Sequence, residues 1–188
     1  MMVPSRNLEQ SKPRRAGQCP AADGFTLLEL MIVMAVVALV AALAMVGLAR
    51  TRAGANEASA VNTLQAIHDA QAAFRVACGH GRDFAANLVQ LGAGDAISPD
   101  LAADPVTKAG YVITLVPTGE GEALDSCTQH QTAAHWYASA VPAQPGAAGI
   151  YGFATSDTDE IWRDSTGAAP KEPFAAGGTI SRVGEQPR

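Results

Sequence analysis

The sequence predicts an α+β protein, in which a long N-terminal α-helix packs on a small antiparallel β-sheet. An apolar run extends from Phe25 to Leu48, and Glu29 carries its only charge. An amphipathic segment without proline continues to Cys78. Short segments rich in β-branched and aromatic residues, bounded by glycine or proline, occupy much of the rest of the 188-residue chain. Together, these three observations indicate a helix with a membrane-spanning first half and a second half that needs a sheet to cover it.

The apolar run has the length of a transmembrane helix. At about 1.5 Å rise per residue, it reaches across a hydrocarbon core of roughly 30 Å. A carboxylate within such a segment costs about 3 kcal/mol on insertion scales. Glu29 therefore either stays among the headgroups or meets a positive charge on a neighbouring chain.

The segment GFTLLE at residues 24–29 resembles the processing site of type IV pilins and type II secretion pseudopilins. A basic leader precedes it and about twenty apolar residues follow it, in the order that is typical of this family. The resemblance extends to about Cys78, and beyond that residue only the layout of helix, loop and sheet is similar. One departure is that no proline interrupts the helix, so Gly47 is its only weak point.

The resemblance implies a pilin-like fold and a defined processing step. A prepilin peptidase would cut between Gly24 and Phe25 and methylate the new amino group of Phe25. In a filament, Glu29 would pair with the Phe25 amine of an adjacent subunit. The implied partners are identical or related pilin subunits, the prepilin peptidase and an inner-membrane assembly platform.

Three regions follow from this reading. Residues 1–24 are a cleaved leader, residues 25–48 a transmembrane or filament-core helix, and residues 49–188 a periplasmic or extracellular head. The four basic residues of the leader outweigh Arg50 and Arg52 on the far side, which favours a cytoplasmic N-terminus. We expect the chain in the bacterial inner membrane before assembly and in a filament afterwards.

Composition argues against several other functions. The formal net charge is −5, and residues 1–24 carry four basic and two acidic side chains, so the remaining chain has a net charge of −7. This acidity disfavours nucleic-acid binding. The sequence contains no serine-hydrolase, zinc-protease or phosphate-loop motif. We therefore expect a structural protein without a cofactor rather than an enzyme.

The cysteines predict one disulfide. Cys19 lies in the expected leader, which leaves Cys78 and Cys127 as a pair in an oxidising compartment. The alternative is a zinc site formed by these two residues with His80 and His130.

A second candidate metal site is the acidic turn formed by Asp157, Asp159 and Glu160. Its carboxylates could hold calcium. The favoured interpretation is an ordinary hairpin turn.

The helical elements follow from periodicity and capping residues. We expect one helix from Phe25 to about Cys78, followed by Gly79 as a left-handed C-cap. A short helix is predicted at residues 83–92, capped by Asp83 and Gly92. The buried stripe of the long helix is predicted to consist of Val61, Leu64, Ile67 and Phe74.

The expected sheet has three or four antiparallel strands. The last two strands form a hairpin, and the tail after Thr166 is expected to be irregular. The strand segments are residues 111–116, 135–141, 150–155 and 160–163.

The functional reading is a structural subunit of a type IV pilus-like filament. Two alternatives stay open. One is a pseudopilin of a type II secretion system, and the other, of a different class, is a periplasmic binding module held by an uncleaved anchor.

Overall fold

The computed structural model describes residues 24–158 and 160–184, except for the side chains of residues 44–47. The predicted leader up to residue 23, including Cys19, lies outside these residues. The chain divides into two compact units, Met1–Ala42 and Leu43–Arg188. The predicted α+β class, with a long N-terminal helix and an antiparallel sheet, is confirmed. The elements are α1 (Leu27–Ala77), α2 (Leu88–Ala93), a 3₁₀ turn (Pro99–Leu101) and strands β1 (Val106–Lys108), β2 (Tyr111–Leu124), β3 (Gln131–Pro142), β4 (Gly152–Ser156), β5 (Ile161–Asp164) and β6 (Ile180–Arg182).

The sheet is a six-stranded antiparallel meander in the order β1-β2-β3-β4-β5-β6. It therefore has more strands than predicted. The β4–β5 hairpin forms where it was expected. Strand β2 continues past Pro117, which the sequence reading placed at its end. The proline is tolerated because β1 pairs only with the first three residues of β2, so that Pro117 has only β3 as a neighbour.

The second half of α1 covers one face of this sheet. Its buried apolar residues recur at helical spacing and include Ala60, Leu64, Ile67, Phe74 and Cys78. Of the predicted stripe, Val61 is only partly buried, and the small Ala60 lies beneath the sheet instead. The buried sheet residues of the same core are Tyr111, Ile113, Leu115, Trp136, Ala138, Ala140 and Phe153.

The end of α1 differs from the prediction at Gly79. The residues with positive φ are His80 (54°) and Gly81 (78°), whereas Gly79 is not in the left-handed region. Glycine is nevertheless required at position 79, because a Cβ there would lie 2.0 Å from the carbonyl oxygen of Asp83. The residue therefore allows a close backbone approach rather than a left-handed cap.

The short helix α2 starts later than predicted, and neither expected cap is used. Phe84 is in extended conformation, since its N–H and C=O both bond to Ala133 at 2.8 Å. Asn87 caps α2 instead, and its side chain accepts a hydrogen bond from the Gln90 N–H at 2.9 Å. At the other end, Gly94 rather than Gly92 is the C-cap.

Asp83, the predicted cap, is buried and serves the sheet. Its carboxylate accepts hydrogen bonds from the Glu122 N–H at 2.9 Å, the Ala123 N–H at 3.2 Å and the Thr132 hydroxyl at 2.9 Å. These donors lie on β2 and β3 near the irregular register between Glu120 and Leu124. Asp83 thus supplies the acceptor that a regular strand partner would provide there.

The segment after Thr166 is more ordered than predicted. It contains β6, and Phe174 stacks against both Trp162 and Tyr137, with ring-centroid distances of 5.8 and 6.2 Å. The Tyr137 hydroxyl also donates to the Pro170 carbonyl at 2.6 Å. The segment therefore packs against the sheet through these aromatic side chains.

Candidate processing and assembly site

Gly24 and Phe25 precede α1 in non-helical, exposed chain. The Phe25 side chain is 83% exposed. A Cβ placed on Gly24 would meet nothing within 4 Å. The peptide bond between the two residues is therefore open to approach within the described part of the chain.

Thr26 forms the N-cap of α1. Its hydroxyl oxygen accepts a hydrogen bond from the Glu29 N–H at 3.1 Å, and its carbonyl accepts one from the Leu30 N–H at 3.2 Å. This arrangement satisfies one of the orphan N–H groups of the first turn. Sequence reasoning did not single out Thr26, although threonine followed three residues later by glutamate is a capping signal.

Glu29 lies in the first turn of α1, where an acidic side chain interacts favourably with the positive end of the helix dipole. The side chain is exposed. Within the part of the chain that the structure describes, the Glu29 carboxylate forms no ion pair.

The first part of α1 is apolar and exposed. Thirteen large apolar side chains between Phe25 and Leu43 are exposed, with values from 49% for Val33 to 83% for Phe25. The helix contains an 18-residue window with a mean hydropathy of 2.8, and none of that window is buried. By length and composition, it could cross a membrane.

A family model describes this same segment. The prokaryotic N-terminal methylation motif matches residues 20–45. The chain carries the type IV pilin and pseudopilin signal motif. None of the curated proteins matches the chain, and no solved structure does.

The pilin-type motif has general implications. It suggests a structural subunit rather than an enzyme, and together with the apolar helix it suggests membrane anchoring. It also implies assembly with related pilin subunits and processing by a prepilin peptidase in general.

The two cysteines of the second unit form a disulfide. Cys78 and Cys127 are bonded, with Cα atoms 5.4 Å apart and a sequence separation of 49. The bond joins the end of α1 to the loop between β2 and β3. The thiols are thereby unavailable to zinc, and His80 and His130 instead contact the Leu124 carbonyl at 3.0 Å and the Thr128 hydroxyl at 2.9 Å.

Asp125 organises the loop that holds Cys127. Its buried carboxylate accepts hydrogen bonds from Gln90 Nε2 at 2.6 Å, the Cys127 N–H at 2.9 Å, the His130 N–H at 3.1 Å, and both the hydroxyl and the N–H of Thr128. Burial raises the pKa of Asp125, but the bonds from Thr128, Gln90 and His130 outweigh it and hold the pKa well below its usual value. The folded loop therefore favours the ionised form of the Asp125 carboxyl group.

Two acidic side chains of the turn between β4 and β5 contact basic side chains. Asp157 lies 2.6 Å from His135 Nδ1, and Glu160 lies 3.1 Å from an Arg182 guanidinium nitrogen. Asp159 lies outside the described residues. Among the residues that the structure describes, no cluster of three or more His, Cys, Asp or Glu side chains could hold a metal ion.

Proposed function

We propose that the chain is a structural subunit of a type IV pilus-like filament, cleaved after Gly24 by a prepilin peptidase and methylated on the Phe25 amine. One observation carries this proposal. The signal motif coincides with an exposed, capped helix start and with a helix whose first part is apolar and uncovered. A helix with apolar residues on all sides requires an apolar environment.

The exposed apolar surface must be kept out of water both before and after assembly. Removing one large apolar side chain from water contributes about 1.5–3 kcal/mol. Leaving the thirteen exposed side chains between Phe25 and Leu43 in water would therefore cost on the order of 20 kcal/mol or more. Lipid covers this surface before assembly. After extraction from the bilayer, a core of parallel helices from neighbouring subunits covers it again.

Glu29 would set the register between subunits. Cleavage creates a positive amine on Phe25, and the carboxylate of Glu29 on an adjacent subunit is its natural partner. An unpaired charge in an apolar core is strongly disfavoured, so misplaced subunits are penalised. The position of Glu29, in the first turn of α1 and with an exposed side chain, supports this proposal.

In this proposal, residues 1–24 form a cytoplasmic leader, residues 25–48 span the inner membrane, and residues 49–188 form the periplasmic head. The inner-membrane assembly platform would transfer the subunit from the bilayer to the filament. After assembly, the head lies on a periplasmic or extracellular filament.

A pseudopilin of a type II secretion system is the alternative within the same class. The Cys78–Cys127 disulfide and the size of the head favour the pilus subunit. The alternative from another class is a membrane-anchored periplasmic binding module that keeps its leader and forms no filaments.

Two substitutions test the proposal in cells with an active prepilin peptidase. Gly24→Val should block cleavage, and since a Cβ at Gly24 meets none of the described residues within 4 Å, the loss would not reflect a clash of that Cβ with them. Glu29→Val should be cleaved but should reduce filament yield at least tenfold. Gel mobility reports cleavage, and sheared-filament yield reports assembly.

Asp69→Ala is the matched control, because it removes an exposed carboxylate from the same helix outside the apolar segment. It should be cleaved and assembled normally. Normal filament yield from Glu29→Val, or a mature-sized Gly24→Val band, would contradict the proposal.

A further inference from the structure

We infer that Thr26 is a positioning residue for cleavage, because its cap holds the Gly24–Phe25 peptide bond outside α1. This inference rests on the proposed processing after Gly24. It assigns to the threonine hydroxyl a task distinct from that of Glu29: presenting the bond that is cut.

The geometry of the helix start supports this assignment. The Thr26 hydroxyl accepts from the Glu29 N–H and the Thr26 carbonyl accepts from the Leu30 N–H, so α1 begins at Leu27. Gly24 and Phe25 lie immediately before the cap and are both exposed. The scissile bond is therefore two residues away from the first helical residue.

Cleavage needs the bond to be outside a helix. Inside a helix, backbone N–H and C=O groups bond to one another and the neighbouring turn surrounds them. An extended segment instead offers its backbone groups to a binding partner. A peptidase that attacks the Gly24 carbonyl therefore requires the conformation that the cap maintains.

The sequence contains a competing cap at Asp23. Aspartate is as good an N-cap as threonine, and a helix capped by Asp23 would begin at Gly24 and include the scissile bond in its first turn. The poor helix propensity of Gly24 disfavours that earlier start. The Thr26 hydroxyl adds to this preference, and its removal would shift the balance towards the earlier start.

Cleavage rates of four variants of the full chain test the inference in membranes that contain an active prepilin peptidase. Losing a threonine cap shifts a helix-start equilibrium by about fivefold, so Thr26→Ala should be cleaved more slowly than the wild type, by at most about fivefold. Thr26→Ser keeps the hydroxyl and should stay within about twofold of the wild-type rate. Asp23→Ala alone should leave the rate unchanged, and Asp23→Ala combined with Thr26→Ala should restore most of the lost rate.

The conformation of the uncleaved chain provides a second readout. The Cα chemical shift of Phe25, measured on labelled full-length protein from cells without the peptidase, should be non-helical in the wild type. It should move towards helical values in Thr26→Ala and return in the double variant. A role of Thr26 confined to contact with the peptidase would leave this shift unchanged.

Three results would overturn the inference. Wild-type cleavage of Thr26→Ala would do so, as would a slow double variant or an unchanged Phe25 shift in Thr26→Ala. In each of these cases the wild type is still cleaved after Gly24, and the proposed function stands. A wild-type chain that stays uncleaved would remove the proposed function and this inference together.

Discussion

Side-chain oxygens satisfy backbone N–H groups at several points where no neighbouring helix or strand does, and three of these residues are Thr26, Asp83 and Asp125. Thr26 caps the start of α1, Asp83 accepts from β2, and Asp125 accepts from the loop before β3. Buried backbone donors without a partner cost about 1–3 kcal/mol each. This cost applies to the donors of the buried residues Asp83 and Asp125, whereas the N–H group that Thr26 caps is exposed.

Asp125→Asn should destabilise the second unit by about 3 kcal/mol at neutral pH, because the amide group replaces one acceptor oxygen among several donors. Because the pKa of Asp125 is lowered in the folded state, its ionised form contributes stability above the unfolded value of about 4. That contribution is lost as the pH falls through the folded pKa. Urea unfolding at several pH values should show the difference between wild type and variant narrowing below about pH 4.

Asp69→Asn is the control for this measurement, since the Asp69 side chain is exposed and should contribute little to stability. A constant difference between wild type and Asp125→Asn down to pH 2 would show that the ionised Asp125 does not hold the loop.

Roles at the residue scale were the hardest to predict from the sequence. Asp83 precedes a segment that resembles a short helix, and an aspartate there is a reasonable cap. Its true donors lie about forty or more residues away along the chain, on β2 and β3. Asp125 likewise has a donor that is distant along the chain, the side-chain amide of Gln90. Only the assembled fold brings such partners together, so local patterns do not reveal them.

Among the helices and strands, α1 is the longest, and its two halves differ in which side chains they bury. Its first part is apolar and exposed, whereas its second part buries one stripe that includes Leu64 and Ile67 against the sheet. Both patterns could be predicted from the sequence, because they follow from the order of apolar and polar residues along the helix. Polar contacts also link α1 to the segment that follows it. The side-chain amide of Gln71 donates to the Ala85 carbonyl and accepts from the Ala85 N–H, both at 2.9 Å.

The sheet was predicted less completely than the helix. The long strands and the β4–β5 hairpin have clear signals of β-branched and aromatic residues between turn residues. Strands β1 and β6 are only three residues long and form through pairing with their neighbours. Such short edge strands depend on tertiary context, which explains why the prediction missed both.

The disulfide links the end of α1 to the loop between β2 and β3. Cys78→Ser combined with Cys127→Ser should lower the free energy of unfolding by about 4 kcal/mol, because the bond closes a loop with a sequence separation of 49. Denaturant unfolding of the oxidised protein and the double variant measures the difference.

Cys19→Ser is the matched control and should leave stability unchanged, because we place Cys19 in the removed leader. A double variant as stable as the wild type would show that the loop between β2 and β3 is held by Asp125 and its neighbours alone.

For the whole molecule, the signal motif and the apolar part of α1 support the proposed function. The second unit contains the antiparallel sheet and the Cys78–Cys127 disulfide. The motif is short, at residues 20–45, and it was recognisable from the sequence because its residue types are local and ordered. The choice between pilus and secretion filament depends on partner surfaces, for which the sequence offers no comparable local pattern.

The central claim is that the chain is processed and assembled as a pilin. Intact mass together with N-terminal sequencing of the membrane-extracted protein tests it most directly. The account predicts a mature chain that starts at N-methylated Phe25 and is two hydrogens lighter than its reduced form. A chain that still carries Met1–Gly24 in cells with an active prepilin peptidase would contradict the account and favour the anchored binding module.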